Sequence, residues 1–172
     1  SILSTAAVFL PATNAFAERS LSTVTESYNR YVPRMLKGFR YLADEMPGQI
    51  DGGDFDNIIS EITAEKGSRI SAMKGTMKIF ATAFSDSVLT QSTRELQLAT
   101  LKASNELDNV VTALKAGDKE KALEAQTQAV FYAQVYSELA NTLLPRTLEP
   151  IQGPSGTGKR FREVDNSING AF

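Results

Sequence analysis

Apolar residues recur along this chain at steps of three and four, the spacing that returns a side chain to the same face of an α-helix. The most regular run is Leu89, Thr93, Leu96, Thr100, Ala103, Leu107, Val110 and Leu114, which alternates four and three without a slip. After Gly117 and Asp118 the same spacing restarts at Ala122, Ala125, Ala129, Tyr132, Tyr136, Leu139 and Leu143, and stops at Pro145. Gly117 suits the left-handed conformation that closes a helix, Asp118 can cap the next one, and Pro145 lacks the amide hydrogen that a helix needs. Two helices of roughly 35 to 40 Å, at the α-helical rise per residue, are therefore expected to double back on each other.

Two earlier stripes are less regular. Leu21, Val24, Tyr28, Val32, Met35, Phe39, Leu42 and Met46 share a face, but the run passes through Pro33. A proline inside a helix removes one hydrogen bond and clashes one turn back, so a kink or a fresh helix start is expected there, giving two pieces that end at Pro47-Gly48. Asp51-Gly52-Gly53-Asp54 reads as a turn with Asp54 as the cap of a helix over about 54–65. Lys66-Gly67-Ser68 breaks the stripe of Phe55, Ile58, Ile59 and Ile62, which resumes as Ile70, Met73, Met77, Phe80 and Phe84 in a helix over about 68–85. Ser85-Asp86-Ser87 then turns the chain. Four apolar stripes joined by short turns predict an all-α fold, an antiparallel up-down-up-down four-helix bundle over residues 18–145.

The flanks differ. Residues 1–17 are uncharged, with an apolar patch from Ala6 to Leu10, a break at Pro11, and Ala15-Phe16-Ala17 before Glu18. That order matches the end of a translocation signal, and the other reading is a mildly apolar docking arm that packs on a partner. Residues 146–172 crowd Pro150, Gly153, Pro154, Gly156 and Gly158 among few apolar residues, which predicts an extended tail that is disordered alone or laid along a partner.

Composition narrows the chemistry. A length of 172 residues suits one domain with tails. Eighteen basic and twenty acidic residues leave a net charge of -2, a poor match to duplex nucleic acid. The chain has no cysteine and no histidine, which removes thiolate chemistry, the usual general base near neutral pH and the commonest metal ligand together. A non-catalytic protein without metal or cofactor is expected. No apolar run approaches the roughly 20 residues of a membrane-spanning helix, so any membrane association should be peripheral.

Several motifs invite chemistry. Gly153-Pro154-Ser155-Gly156-Thr157-Gly158-Lys159 fits the GxxxxGK part of a phosphate-binding loop, but Arg160 stands where the magnesium-holding Ser or Thr belongs and the nearby prolines preclude a central strand. Asp51, Asp54, Asp56 and Glu61 offer hard oxygens, yet their spacing is not that of a calcium loop, and helix capping accounts for acids in a first turn. Paired carboxylates that hold two irons in helix bundles need Glu-x-x-His motifs, and no histidine exists. Tyr28, Tyr132 and Tyr136 lie on core stripes, whereas Tyr31 and Tyr41 lie off them and are candidates for contact with another protein. Arg30, Arg34, Lys37 and Arg40 share much of one helical face, and Lys159, Arg160 and Arg162 form a second basic cluster. These nine residues make up the candidate docking set.

The stretch Tyr28-Asn29-Arg30-Tyr31-Val32-Pro33-Arg34-Met35-Leu36-Lys37-Gly38-Phe39 comes first in a recognisable order. Tyr41-Leu42, Ile50, the Gly53-Asp54-Phe55 turn and Ile58 follow it. Together they resemble the opening of the PsbQ-like extrinsic proteins of photosystem II, algal forms above all, and a looser similarity extends over Glu18 to Leu144. The resemblance implies a four-helix bundle in the thylakoid lumen of a plastid, peripheral on the oxygen-evolving face. It also implies a non-catalytic role, in which the subunit shields the manganese-calcium cluster and helps retain its calcium and chloride. The partners would be the photosystem II core and other extrinsic subunits. The Pro/Gly-rich tail departs from that family. Two alternatives stand beside this expectation: a lumenal subunit of photosystem I or its antenna, and a free-standing bundle that holds a ligand in a cavity lined by Met73, Met77 and Phe80.

Overall fold

The structure is a computed structural model that describes residues 20–85 and 89–155. The arm at 1–17 and the cluster of Lys159, Arg160 and Arg162 lie outside the described residues. Within them the fold is all-helical and contains no strand. The elements are α1 (Leu21–Arg40), a π-helical turn (Tyr41–Glu45), α2 (Met46–Gly52), α3 (Phe55–Thr63), α4 (Arg69–Ala81) with a 3-10 turn (Thr82–Phe84), α5 (Gln91–Lys115) and α6 (Lys119–Leu143).

The helix ends follow local chemistry. The Oγ of Ser20 accepts from the amide of Thr23 at 3.4 Å, and that of Thr90 caps α5 through Thr93 at 3.2 Å. Gly117 sits at φ 73°, and the amides of Gly117 and Asp118 return to the carbonyls of Leu114 and Ala113 at 3.0 and 2.9 Å. That paired closure satisfies the last carbonyls of α5. Asp118 then accepts from the amide of Lys121 at 3.1 Å and opens α6. Asp54 occupies the cap position of α3 but makes no side-chain cap bond. Leu89 precedes the first residue of α5 and is 43% exposed, so the buried seam begins one step later, at Thr93.

The first helix departs from its sequence reading twice. It is not broken at Pro33, which lies inside α1 on the exposed side. Asn29, whose carbonyl loses its helical donor to that proline, is exposed as well, so water can take the donor's place. Nor does the chain stop at Pro47-Gly48: α2 continues to Gly52. A π turn precedes this second proline. The amide of Met46 reaches back five residues to the carbonyl of Tyr41, which widens the helix immediately before Pro47, where a tight turn would meet the proline ring.

The core is one contiguous cluster. Met35, Phe39, Leu42, Met46 and Ile50 of the first helix meet Ile58 and Ile62 of α3, Ile70, Met73, Met77 and Phe80 of α4, and Leu96, Leu107 and Val110 of α5. α5 packs most extensively on α6 and α1 on α4, with smaller contacts between α4 and α5 and between α2 and α6. Ala122, Ala129, Ala133 and Ala140 are fully buried, and such small side chains let α5 and α6 approach closely. Tyr136 is fully buried with its hydroxyl donating to the carbonyl of Met77 at 2.7 Å, and Gln126 Nε2 donates to the carbonyl of Leu42 at 2.7 Å. Each buried donor therefore ties α6 to another helix.

Residues after Pro145 fold back rather than leave the domain. Asn141 binds the backbone of Ile151 on both sides, its Oδ1 accepting at 2.6 Å and its Nδ2 donating at 2.9 Å. Gln134 Oε1 accepts from the amide and hydroxyl of Ser155 at 3.2 and 2.6 Å, and Tyr28 donates to the carbonyl of Glu149 at 2.9 Å. Ile151 is 1% exposed. Residues 146–155 of the expected tail are thus held against α6 and α1. Side-chain amides on α6 supply the hydrogen-bond partners that an extended segment otherwise lacks. Every residue from Val135 to Asn141 is buried, including Ser137 and Glu138.

Candidate docking surface

Arg30, Arg34, Lys37 and Arg40 are all exposed on α1, at steps of four, three and three that keep them on its outward side. No acidic residue occurs from Ser27 to Ala43, so the stretch between Glu26 and Asp44 carries one sign of charge. Among the described residues none of the four makes an ion pair. Arg30 lies 5.6 Å from the ring centroid of the half-buried Tyr31, a cation-π contact that steadies the guanidinium without neutralising it. α4, which packs beside α1, also contains no acid from Arg69 to Ala81.

Tyr41 does not belong to this surface. The π turn interrupts the three-and-four spacing, and Tyr41 is fully buried. Its hydroxyl donates to Gln49 Oε1 at 2.8 Å, while the Arg69 guanidinium lies 3.9 Å from its ring centroid. Burial first, and the Glu61 carboxylate second, push the phenol up to about 12. Arg69 in turn bonds Glu45 at 2.6 Å and Glu61 at 3.2 Å, and its amide donates to Glu61 Oε2 at 2.9 Å. Burial opposes the Arg69 charge, but these carboxylates outweigh it and leave its pKa raised. Glu61, read from sequence as one of four acidic oxygens in a turn, is instead the carboxylate that joins α3 to α4. Ser68 completes the joint by donating to the carbonyl of Glu61 at 2.7 Å while accepting from the amide of Ser71 at 2.9 Å.

Two helical glycines mark different things. A Cβ on Gly38 would lie 2.3 Å from the Cβ of Met73 and 2.9 Å from the Arg69 carbonyl, so close contact between α1 and α4 requires a glycine there. A Cβ on Gly75 would meet no atom within 4 Å. Glycine in a helix interior costs about 1 kcal/mol relative to alanine, and at Gly75 nothing in the fold repays that cost.

Among the described residues, a groove of about 680 Å3 lies between α4 and α5 beside the α3–α4 break, one of about 460 Å3 runs between α5 and α6, and one of about 420 Å3 separates α1 from residues 152–155. Met73, Met77 and Phe80 line none of these, and each is fully buried. Sequence reasoning found the cationic face because its spacing is local. It missed the Arg69 joint and the groove, both of which arise from contact between helices distant in the sequence. In comparisons with known proteins, the chain matches no family model, no curated protein and no solved structure.

Proposed function

We propose that this chain is a non-catalytic docking subunit, PsbQ-like in type, that binds the lumenal side of photosystem II through the cationic face of α1. The single observation that carries this reading is that Arg30, Arg34, Lys37 and Arg40 stand exposed and without ion pairs among the described residues on a helix whose opposite side is full. Exposed cations on one rigid face steer association with an acidic surface and make it sensitive to salt. The resemblance over Tyr28 to Ile58 supplies the address. In this reading the chain is an up-down-up-down four-helix bundle. Its first rod is α1 with α2, its second is α3 with α4, and α5 and α6 complete it. Among the described residues no helix is long and apolar enough to cross a membrane, which is compatible with peripheral attachment.

Fractionation of thylakoids tests the proposal. The chain should travel with photosystem II, leave it on a salt wash, and bind at least about tenfold more weakly when Arg30, Arg34 and Lys37 are replaced by glutamate. Recovery with photosystem I, or binding that neither salt nor the charge reversals alter, would end this reading.

A further inference from the structure

The groove between α4 and α5 has two straight walls. Ser71, Gly75 and Lys78 form one and Gln97, Leu101 and Ser104 the other, each row at steps of four and three along its helix. Each row spans about two helical turns, roughly 10 Å. Apolar surface lies open here: Leu101, on the α5 wall, is 56% exposed. The rim is basic. Lys74 gives one hydrogen bond to the carbonyl of Ile62 at 3.3 Å, and Lys78 makes no ion pair among the described residues. Glu65, at one end, is the single acid among the lining residues.

We infer that this groove docks an acidic amphipathic helix of a partner protein, laid along α4 and α5. A rod with the same three-and-four period can seat its side chains between the two rows. Its apolar positions cover Leu101, its carboxylates meet Lys74 and Lys78, and its backbone approaches α4 at Gly75, where a larger residue would hold it away. The acidic character follows from the rim, which repels a basic helix. The inference is independent of the α1 face, which points outward from a different helix.

The probe is a synthetic peptide of about eighteen residues, long enough for helicity in water, with leucines at steps of four and three flanked by glutamates. It is titrated into the isotope-labelled full chain, and amide resonances are followed. The expected shifts fall on Ser71, Gly75, Lys78, Gln97, Leu101 and Ser104. Exchanging Lys74 and Lys78 for glutamate, or Leu101→Gln, should weaken binding at least about tenfold. Gly75→Ala should raise the melting temperature of the free chain while weakening the peptide several-fold, a pairing that a glycine serving only the fold would not give. The inference is overturned if no groove resonance moves at about 1 mM peptide, or if the shifts map elsewhere. Equal binding by a lysine-for-glutamate peptide, unchanged binding by Gly75→Ala, or attachment of these residues to anionic phosphatidylglycerol vesicles but not to the peptide would overturn it as well.

Discussion

In the α5–α6 hairpin, each helix starts and stops on the chemistry of neighbouring residues: Thr90 and Asp118 cap, Gly117 turns, and small residues every three or four positions bring the helices together. At the junction of the π turn with α3 and α4, the contacts join residues far apart in the chain. Arg69 reaches back 24 residues to Glu45 and 8 to Glu61, and its guanidinium covers Tyr41. The first region tolerates reading one turn at a time. In the second, a side chain's position depends on what another helix lays over it. Gly38 illustrates the difference, since its lack of a side chain serves Met73 on a different helix rather than the local backbone.

The largest test of this contrast is Gly38→Ala. Added volume in a filled contact should cost about 1–3 kcal/mol, read as a lower urea midpoint with an unchanged slope; an unaltered midpoint would show that α4 can yield. Asn141→Ala comes next. It removes the Asn141 partners of the Ile151 amide and carbonyl, and because the segment can lift and let water reach them the cost is held to about 1–3 kcal/mol in all. If the segment detaches, limited proteolysis near Ile151 should speed up while α5 and α6 keep their hydrogen-exchange protection. Loss of protection throughout α6 would mean that the strap and the hairpin form one unit. Asp118→Ala acts within the hairpin alone and should cost about 1 kcal/mol, as for a lost cap. Gly75→Ala runs the other way, stabilising by about 1 kcal/mol, and a destabilised variant would contradict the open space around that position.

Alkali separates the two regions by another route. Tyr41 holds its proton up to about 12 and Tyr136 well beyond its ordinary value, both chiefly because they are buried. An unfolded phenol ionises near pH 10. In that window the folded chain binds more protons than the unfolded one, so stability is intact below pH 10 and falls as pH rises through 12. Urea midpoints measured across the window should decline, and Tyr41→Phe should flatten the decline. A slope unchanged in that variant would mean that Tyr41 is not the group responsible.

The strap at 145–155 shows why part of the fold stayed out of reach of the sequence. Its prolines and glycines and its few apolar residues read as a chain with nothing to hold it, and by itself that reading is sound. Asn141 and Gln134, seven residues apart on α6, turn it into ordered structure. Because they sit on a helix of otherwise regular pattern, nothing in their spacing announces a backbone-binding role. Glu138 lies between them, buried, with Oε1 accepting from Gln134 at 2.7 Å and Oε2 without a hydrogen-bond partner among the described residues.

By itself the sequence determined the helical content, the caps and turn of the α5–α6 hairpin, the break between α3 and α4, and the cationic face of α1. All of these depend on period, backbone preference and charge within a few turns of helix. Only the tertiary structure decided that the first helix runs through Pro33 and Pro47, that Tyr41 is interior, that residues 145–155 belong to the domain, and that Gly38 is required while Gly75 is not. The reason is that these features arise from contact between distant segments. Solvent exposure beside one proline, a widened turn before the other, a guanidinium laid on a ring and an amide that meets an extended backbone come into being only when the helices have assembled.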